Sequence, residues 1–402
     1  MPAPRAPRSI AIVGGGIVGL AVGLRCLETW PATPVTVYEK ESAVAQHQSG
    51  RNSNVLHCGL YYKPGSLKAR LAVTGIRQML EFCQQHQVPH EVCGKLVVAV
   101  TDAEVPRLRG LEERGVANGL SGLRWLSGDA MREVEPHVNG VAALHVPQEG
   151  ITHFPSVCEA MAREIRRLGG ELRFNARVSG LSQRSGEWHF AASDTEASAS
   201  FLFNCAGLHC DRILAETGER RTTRIVPFRG EYFELSEAGA ALVKHLIYPV
   251  PDPKFPFLGV HFTRMIQGGV EAGPNAVLAT AREGYSLGTF SASDFADVLS
   301  FSGFWSFLAK YPGMAAYEFY RSLSRAAFCR SLQRLVPEVE ASHLREGTAG
   351  VRAQALSPDG SLVQDFDFVL RPNALHLINA PSPGATASLA IARYLVDLIG
   401  KD

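Results

Sequence analysis

Residues 9–13 form a short apolar run, residues 14–19 are glycine-rich, residues 20–29 have helical composition, and residues 35–39 form a second apolar run. This alternation predicts a strand–turn–helix–strand unit at the start of the chain. A polar loop spans 40–63. Leu67, Leu71, Met79, Leu80 and Cys83 then predict a long helix over 66–86. Residues 96–100 read as a buried strand. A helix over 156–168 should stop at Gly169-Gly170, because glycine accepts the left-handed conformation that ends helices. Short strands are expected at 172–174, 188–191 and 201–204.

Between 225 and 280 the pattern becomes strand-rich, at 232–235, 258–263 and 270–272. Residues 291–334 read as mostly helical and carry many Phe, Trp and Tyr. A strand at 375–378 and a helix at 386–399 close the chain. No internal repeat or low-complexity tract is present. The expected fold class is α/β plus α+β. A discontinuous Rossmann-like nucleotide-binding domain is drawn from 1–90, 150–222 and 345–402. A β-sheet substrate domain, drawn from 91–149 and 223–344, is inserted into it.

Length and composition agree with two cores: 402 residues, 46% hydrophobic, 20% charged. A formal net charge of +1 gives no basic field suited to nucleic acid. Eight scattered cysteines without a CxxC pair read as reduced thiols and a cytoplasmic setting. No segment has about 18 uninterrupted apolar residues, so none is expected to span a bilayer.

Gly14-Gly15-Gly16-Ile17-Val18-Gly19 fits G-x-G-x-x-G between a strand and a helix. Gly14 permits a tight turn, Gly16 lets backbone approach a pyrophosphate, and Gly19 lets helix and strand pack closely. The helix N-terminus offers unpaired amides to the phosphates, beside Ile17. Glu39 ends the next strand, where a carboxylate accepts from ribose hydroxyls; Lys40 follows it. The donor-rich loop His47-Gln48-Ser49-Gly50-Arg51-Asn52-Ser53 adds Ser49, Arg51, Asn52 and Ser53 as candidate cofactor contacts, and Val178 is a further one. Three other features favour FAD over NAD, one of them that no separate second nucleotide fold is visible in the chain. Asn204-Cys205-Ala206-Gly207 follows a strand, placing Ala206 and Gly207 beside the cofactor. Ser382-Pro383-Gly384-Ala385-Thr386 precedes the last helix, whose N-terminus suits the electron-rich edge of a reduced flavin.

Longer motifs carry a resemblance: HQSGRNSNVLHCGLYYKPGSLKA at 47–69, CGKLVVAV at 93–100, IVPFRGEYFEL at 225–235, IYPVPDPKFPFLGVHFT at 247–263, GPNAVLATAREGY at 273–285, GVRAQAL at 350–356 and NAPSPGATASLAIA at 379–392. In these, over almost its whole length, the chain resembles the D-amino-acid-oxidase-like FAD oxidoreductases, and within them the L-2-hydroxyglutarate dehydrogenase/oxidase family. The resemblance implies bound FAD and two-electron oxidation of L-2-hydroxyglutarate to 2-oxoglutarate, with oxygen or a quinone as acceptor. Asn54 and Cys58 stand where Gly and Ser would be expected.

Oxidising a secondary alcohol requires a base for the hydroxyl proton. His57, at the end of the reactive loop, is the first candidate, since imidazole titrates near neutrality; His261 is the rival. A dicarboxylate needs anchors. Arg352, among small and apolar residues, could clamp one carboxylate through two parallel hydrogen bonds. Arg229, Lys63, Tyr248 and Asn275 are candidates for the second carboxylate or the pocket wall. No metal site is expected: His86 and His90 are separated by Pro89, and the cysteines lack zinc spacing. Cys205 and Cys210 read as small buried hydrophobes rather than a redox pair. The aromatic run 301–308 admits two readings, a helix packed on the substrate domain or a peripheral contact at the inner membrane face. The first is favoured, because no Lys/Arg run accompanies it. The rival activities are an amine, amino-acid or glycerol-3-phosphate oxidoreductase of the same fold, or a flavoprotein subunit without turnover.

Overall fold

The computed structural model describes residues 6–252 and 258–399, so residues 253–257 of the motif at 247–263 lie outside the described residues. Ile10–Val13, the fully buried first strand, pairs in parallel with Val35–Tyr38 on one side and Phe201–Asn204 on the other. Glu171–Arg173 and Ala374–Asn379 extend the sheet in parallel, and antiparallel Asp367–Arg371 forms an edge. A fully buried central strand needs cover on both faces. Helix Ile17–Thr29 supplies part of it, packed against Phe154–Arg167 and Ser388–Ile399. Chain order reverses around Ile10–Val13, which places a crevice at the carboxyl ends of that strand and Phe201–Asn204.

The second large sheet has nine strands. Its spine is an antiparallel ribbon of Arg224–Leu235 with Leu344–Leu356, in which Phe228 faces Arg352 and Gly230 faces Gly350. Lys95–Ala99 lies further in, parallel to Leu246–Pro249 and antiparallel to Ala142–Val146. Helices Ala292–Leu299, Ser302–Lys310, Pro312–Leu323 and Arg325–Gln333 fill the segment expected to be helical. Phe301, Phe304 and Phe307 enter a core with Val226, Phe228 and Leu356, while Trp305 stays exposed. Among the described residues no helix is long and apolar enough to cross a membrane.

A small sheet stitches the two halves together. Val55–Leu56 pairs antiparallel with Gly150–Thr152, Leu56 facing Gly150, so His57 and Glu149 emerge side by side. Most expected elements shift by one or two residues. Larger differences have local causes. The ribbon strand Leu344–Leu356 was not foreseen, because REGTAGVRAQAL is rich in Gly and Ala and lacks period-two apolar alternation. The strand expected over 258–263 begins only at His261. The last helix begins at Ser388 rather than 386, with a turn holding 382–387 in front of it. Gly169, at φ +87°, stops the helix Phe154–Arg167 as expected.

Candidate functional site

One cavity of about 1120 Å³ runs along the crevice and beneath the small sheet. At one end lies the glycine turn. Gly14 has φ +110°, and a Cβ there would stand 2.6 Å from the Cys205 carbonyl oxygen. A Cβ on Gly19 would stand 2.0 Å from the Gly14 carbonyl oxygen, so the helix reaches the strand only because both positions lack side chains. Gly19 therefore shapes the turn from behind, while Gly14, Gly16 and Ile17 line the cavity. Glu39 is buried; its carboxylate accepts from the amides of Gly15 (2.7 Å) and Glu41 (2.9 Å). Ser49 accepts from the Ile17 amide at 2.9 Å, fixing the donor-rich loop on the helix N-terminus.

The remaining expected cofactor positions fall along the same wall. Lys40, Arg51, Asn52 and Ser53 line it from the loop, Val178 and Ala206-Gly207 from the strand ends, and residues 382–386 from the last turn. Asn52 holds the loop through the carbonyls of Gln48 and Ser49, both at 2.9 Å. A latch crosses this end: Glu283 accepts from Lys40 (2.7 Å) and His209 (2.9 Å), and His47 meets the Tyr285 hydroxyl at 2.7 Å. Glu41, His47 and Glu283 approach one another as metal ligands would, but the Lys40 ammonium stands among them. The open glycine cradle, the first-turn amides and a volume above the roughly 300–1,000 Å³ of single-ligand pockets fit a dinucleotide plus a small second molecule.

His57 lines the cavity beyond the last turn. Its amide donates to Thr386 Oγ1 (3.2 Å), and Thr386 donates to the Val55 carbonyl (3.2 Å), tying the reactive loop to the C-terminal segment. Its Nδ1 lies 3.2 Å from Glu149 Oε2. The same carboxylate takes the Lys95 ammonium at 2.8 Å and the Cys58 amide at 3.2 Å; Lys95 and Glu149 are wholly buried. Lys95 holds the Glu149 carboxyl well below its ordinary range against the cost of burial. Burial lowers the His57 pKa, and the Glu149 charge opposes that drop. Cys58 is buried, and burial raises its thiol pKa strongly.

His261 also lines the cavity, stacked on Tyr248 with ring centres 3.8 Å apart. Its Nδ1 is spent on the Gly259 carbonyl at 2.8 Å. Burial takes its pKa down to about 3, with Lys95, Arg352 and His57 adding to the drop, so it is neutral near pH 7. Arg352 lines the cavity from the ribbon, and burial lowers its pKa against the pull of Tyr232 and Glu318.

Three expected substrate contacts lie outside this cavity. Lys63 is exposed on the surface. Arg229 is committed to Glu231 (3.0 Å) and the Ser286 carbonyl (3.0 Å). Asn275 exchanges two 2.8 Å hydrogen bonds with the amide and carboxylate of Glu231. Both are buried by the fold rather than offered to a ligand. Sequence reasoning missed Glu149 and Lys95. Lys95 left a signal, a lone cation opening the otherwise apolar strand Lys95–Ala99. Glu149 left none, since its role follows from strand register. All eight cysteines are free, and Cys210 donates to the Ile378 carbonyl at 3.2 Å.

The family model described as FAD dependent oxidoreductase, DAO, matches residues 9–398. A protein of Indibacter alkaliphilus named L-2-hydroxyglutarate dehydrogenase is 46% identical over 95% of this chain and 96% of its own. Proteins of that name from Escherichia coli K12 (43% identical; 96% of this chain, 92% of that one) and, with the word mitochondrial added, Homo sapiens (41%; 96% and 88%) are also similar. Among solved structures, the dithionite-reduced L-alpha-glycerophosphate oxidase of Mycoplasma pneumoniae with FAD bound shares the fold at TM-score 0.79, 22% identity, 98% of this chain and 95% of that one. Glycine oxidase from Geobacillus kaustophilus follows at TM-score 0.72 and 16% identity, over 97% and 94%. With the glycine cradle, the buried carboxylate after it and the long cavity all in place, the chain belongs to the DAO family of FAD-dependent oxidoreductases.

Proposed function

We propose that this protein oxidises L-2-hydroxyglutarate to 2-oxoglutarate. The observation that carries the reading is one cavity shared by a dinucleotide cradle, a histidine backed by a carboxylate, and a buried guanidinium. The names of the similar proteins support the choice of acid. FAD, when bound, supplies the two-electron acceptor for the hydride leaving C2.

The chain's own residues handle the proton and the charge. Glu149 accepts from His57 Nδ1–H, which leaves Nε2 as the basic nitrogen of the ring. His57 takes the hydroxyl proton there, and Glu149 stabilises the imidazolium that forms. His261 holds its proton on Nδ1 toward Gly259 and stays neutral, so it serves as wall and hydrogen-bond acceptor rather than as the base. Arg352 binds the carboxylate next to the reacting carbon, where burial strengthens a charge-assisted pair. The cradle and latch hold the cofactor, while the strand ribbon floors the substrate end.

Anaerobic titration of the yellow holoprotein with L-2-hydroxyglutarate, its D enantiomer, glycerol 3-phosphate and a set of amino acids tests this reading. Bleaching by L-2-hydroxyglutarate alone is expected, with colour restored by oxygen or a soluble quinone. Bleaching by an amino acid or glycerol 3-phosphate, with the hydroxy acid inert, would replace the substrate assignment.

A further inference from the structure

A dicarboxylate brings two negative charges out of water, and each needs a partner inside the cavity. Arg352 accounts for one. Of the residues first expected for the other, Lys63, Arg229 and Asn275 are outside the cavity, and Tyr248, which lines it, carries no charge to offer. Two further arginines near the substrate end are already engaged. Arg107 donates to the Pro251 carbonyl (3.4 Å) and lies 3.5 Å from the Asp252 carboxylate. Arg114 donates to the Tyr61 carbonyl (2.9 Å).

Lys68 differs from both. It lines the cavity from the first turn of helix Leu67–Gln85, where a cation works against the helix dipole, so helix stability does not explain it. Its ammonium meets the Gln364 carbonyl (3.2 Å) and the face of Tyr62 (4.8 Å to the ring centre) instead of a carboxylate. The nearby Asp365 carboxylate is spent on the amides of Leu67 (3.0 Å) and Lys68 (2.7 Å). Half-buried, Lys68 has its pKa brought down to about 8 by partial desolvation even with Asp365 opposing. Lys68 and Arg352 both line the cavity that holds His57 and His261.

Tyr61 gives an independent indication. Tyr61 also lines the cavity, and its hydroxyl oxygen is buried with no hydrogen-bond partner among the described residues. Burial raises its pKa strongly, which keeps the hydroxyl a donor. A buried donor left unmet is costly, and a bound anion would satisfy it.

We propose that Lys68, together with the Tyr61 hydroxyl, forms the subsite for the distal carboxylate of the substrate and selects dicarboxylic over monocarboxylic 2-hydroxy acids. This deepens the substrate assignment above and rests on it. Arg352 and Lys68 thereby grip opposite ends of one five-carbon acid, with C2 held at His57.

The test compares kcat/KM for L-2-hydroxyglutarate and L-2-hydroxybutyrate, which share the reacting carbon and differ in the distal carboxylate. Holoenzymes of wild type, Lys68→Met, Lys68→Arg and Tyr61→Phe are matched for FAD content. Loss of one charge-assisted contact should lower the ratio of the two constants by about 30-fold in Lys68→Met and by about fivefold in Tyr61→Phe. Lys68→Arg should recover most of the ratio. Calorimetric binding of glutarate and butyrate to the same proteins should show the same loss for glutarate. An unchanged ratio in Lys68→Met, or equal losses for both acids, overturns the subsite. Wild type inert toward L-2-hydroxyglutarate would instead overturn the substrate assignment itself.

Discussion

Glu149→Gln separates the structural and chemical roles of the buried triad. The wild-type carboxylate neutralises Lys95 at 2.8 Å and accepts from His57 at 3.2 Å. The amide keeps the shape and removes the charge, leaving an ammonium buried without a counter-ion. Breaking such a pair costs about 3–5 kcal/mol, whereas replacing both partners with uncharged groups is often close to neutral. Glu149→Gln should therefore lose about 3–5 kcal/mol in urea unfolding at saturating FAD, and Lys95→Met/Glu149→Gln should regain most of it. The catalytic rate should not recover. Burial lowers the His57 pKa and Glu149 opposes that drop, so removing the carboxylate lowers it further. The base is active when neutral, so the acid limb of flavin reduction should move to lower pH in the single variant and by less in the double variant, where the Lys95 charge that also lowers the His57 pKa is gone, with a slower plateau in both. The stability linkage has its own sign. The Glu149 pKa is depressed in the folded state, so its contribution is full above the ordinary glutamate range and fades as pH falls toward its depressed value. A single variant costing under about 1 kcal/mol, or a double variant no more stable than the single, would refute the ion-pair reasoning. An acid limb that stays in place in the single variant would refute the link to His57.

Three other outcomes follow from the same structure. Gly19→Ala would place a Cβ 2.0 Å from the Gly14 carbonyl oxygen, so the purified variant should be colourless, with FAD affinity at least about 100-fold weaker by fluorescence titration. Glu283→Gln removes the carboxylate that joins Lys40 and His209, and should weaken FAD binding about tenfold with little change in the rate of flavin reduction at saturation. Glu271 is buried, faces Glu234 across the sheet and has its pKa raised to about 7. An acid with a raised folded pKa costs nothing below its unfolded value near 4.3 and its full penalty above the folded one. Glu271→Gln should therefore stabilise the protein by about 3–4 kcal/mol at pH 8 and hardly at all at pH 4, by urea unfolding.

The first βαβ unit was legible because its glycines are demanded by backbone geometry at particular positions, and geometry of that kind leaves a local mark. Helix Leu67–Gln85 was legible through its apolar spacing and Ser66, which accepts from the Ala69 amide as its cap. The ribbon strand carrying Arg352 was not, since its stability comes from pairing with Arg224–Leu235 and not from its own pattern. The same division runs through the site. His57 and Arg352 could be chosen from their chemistry and their motifs. Glu149 could not, because it reaches His57 through antiparallel register across 92 residues of sequence. Arg229 and Asn275 show the converse: a polar residue within such a motif can be engaged by the fold, here by Glu231. Asn54, in place of the expected glycine, has φ +55°, a left-handed conformation that asparagine tolerates better than other side chains.

The most direct measurement is stopped-flow reduction of the FAD-loaded protein by L-2-hydroxyglutarate without oxygen, in wild type and in His57→Ala. The account predicts rapid loss of the yellow absorbance in wild type and a loss at least about 100-fold slower in the variant, with equal cofactor content. Equal rates in the two proteins would contradict it, because the proton would then leave by a route that His57 does not provide.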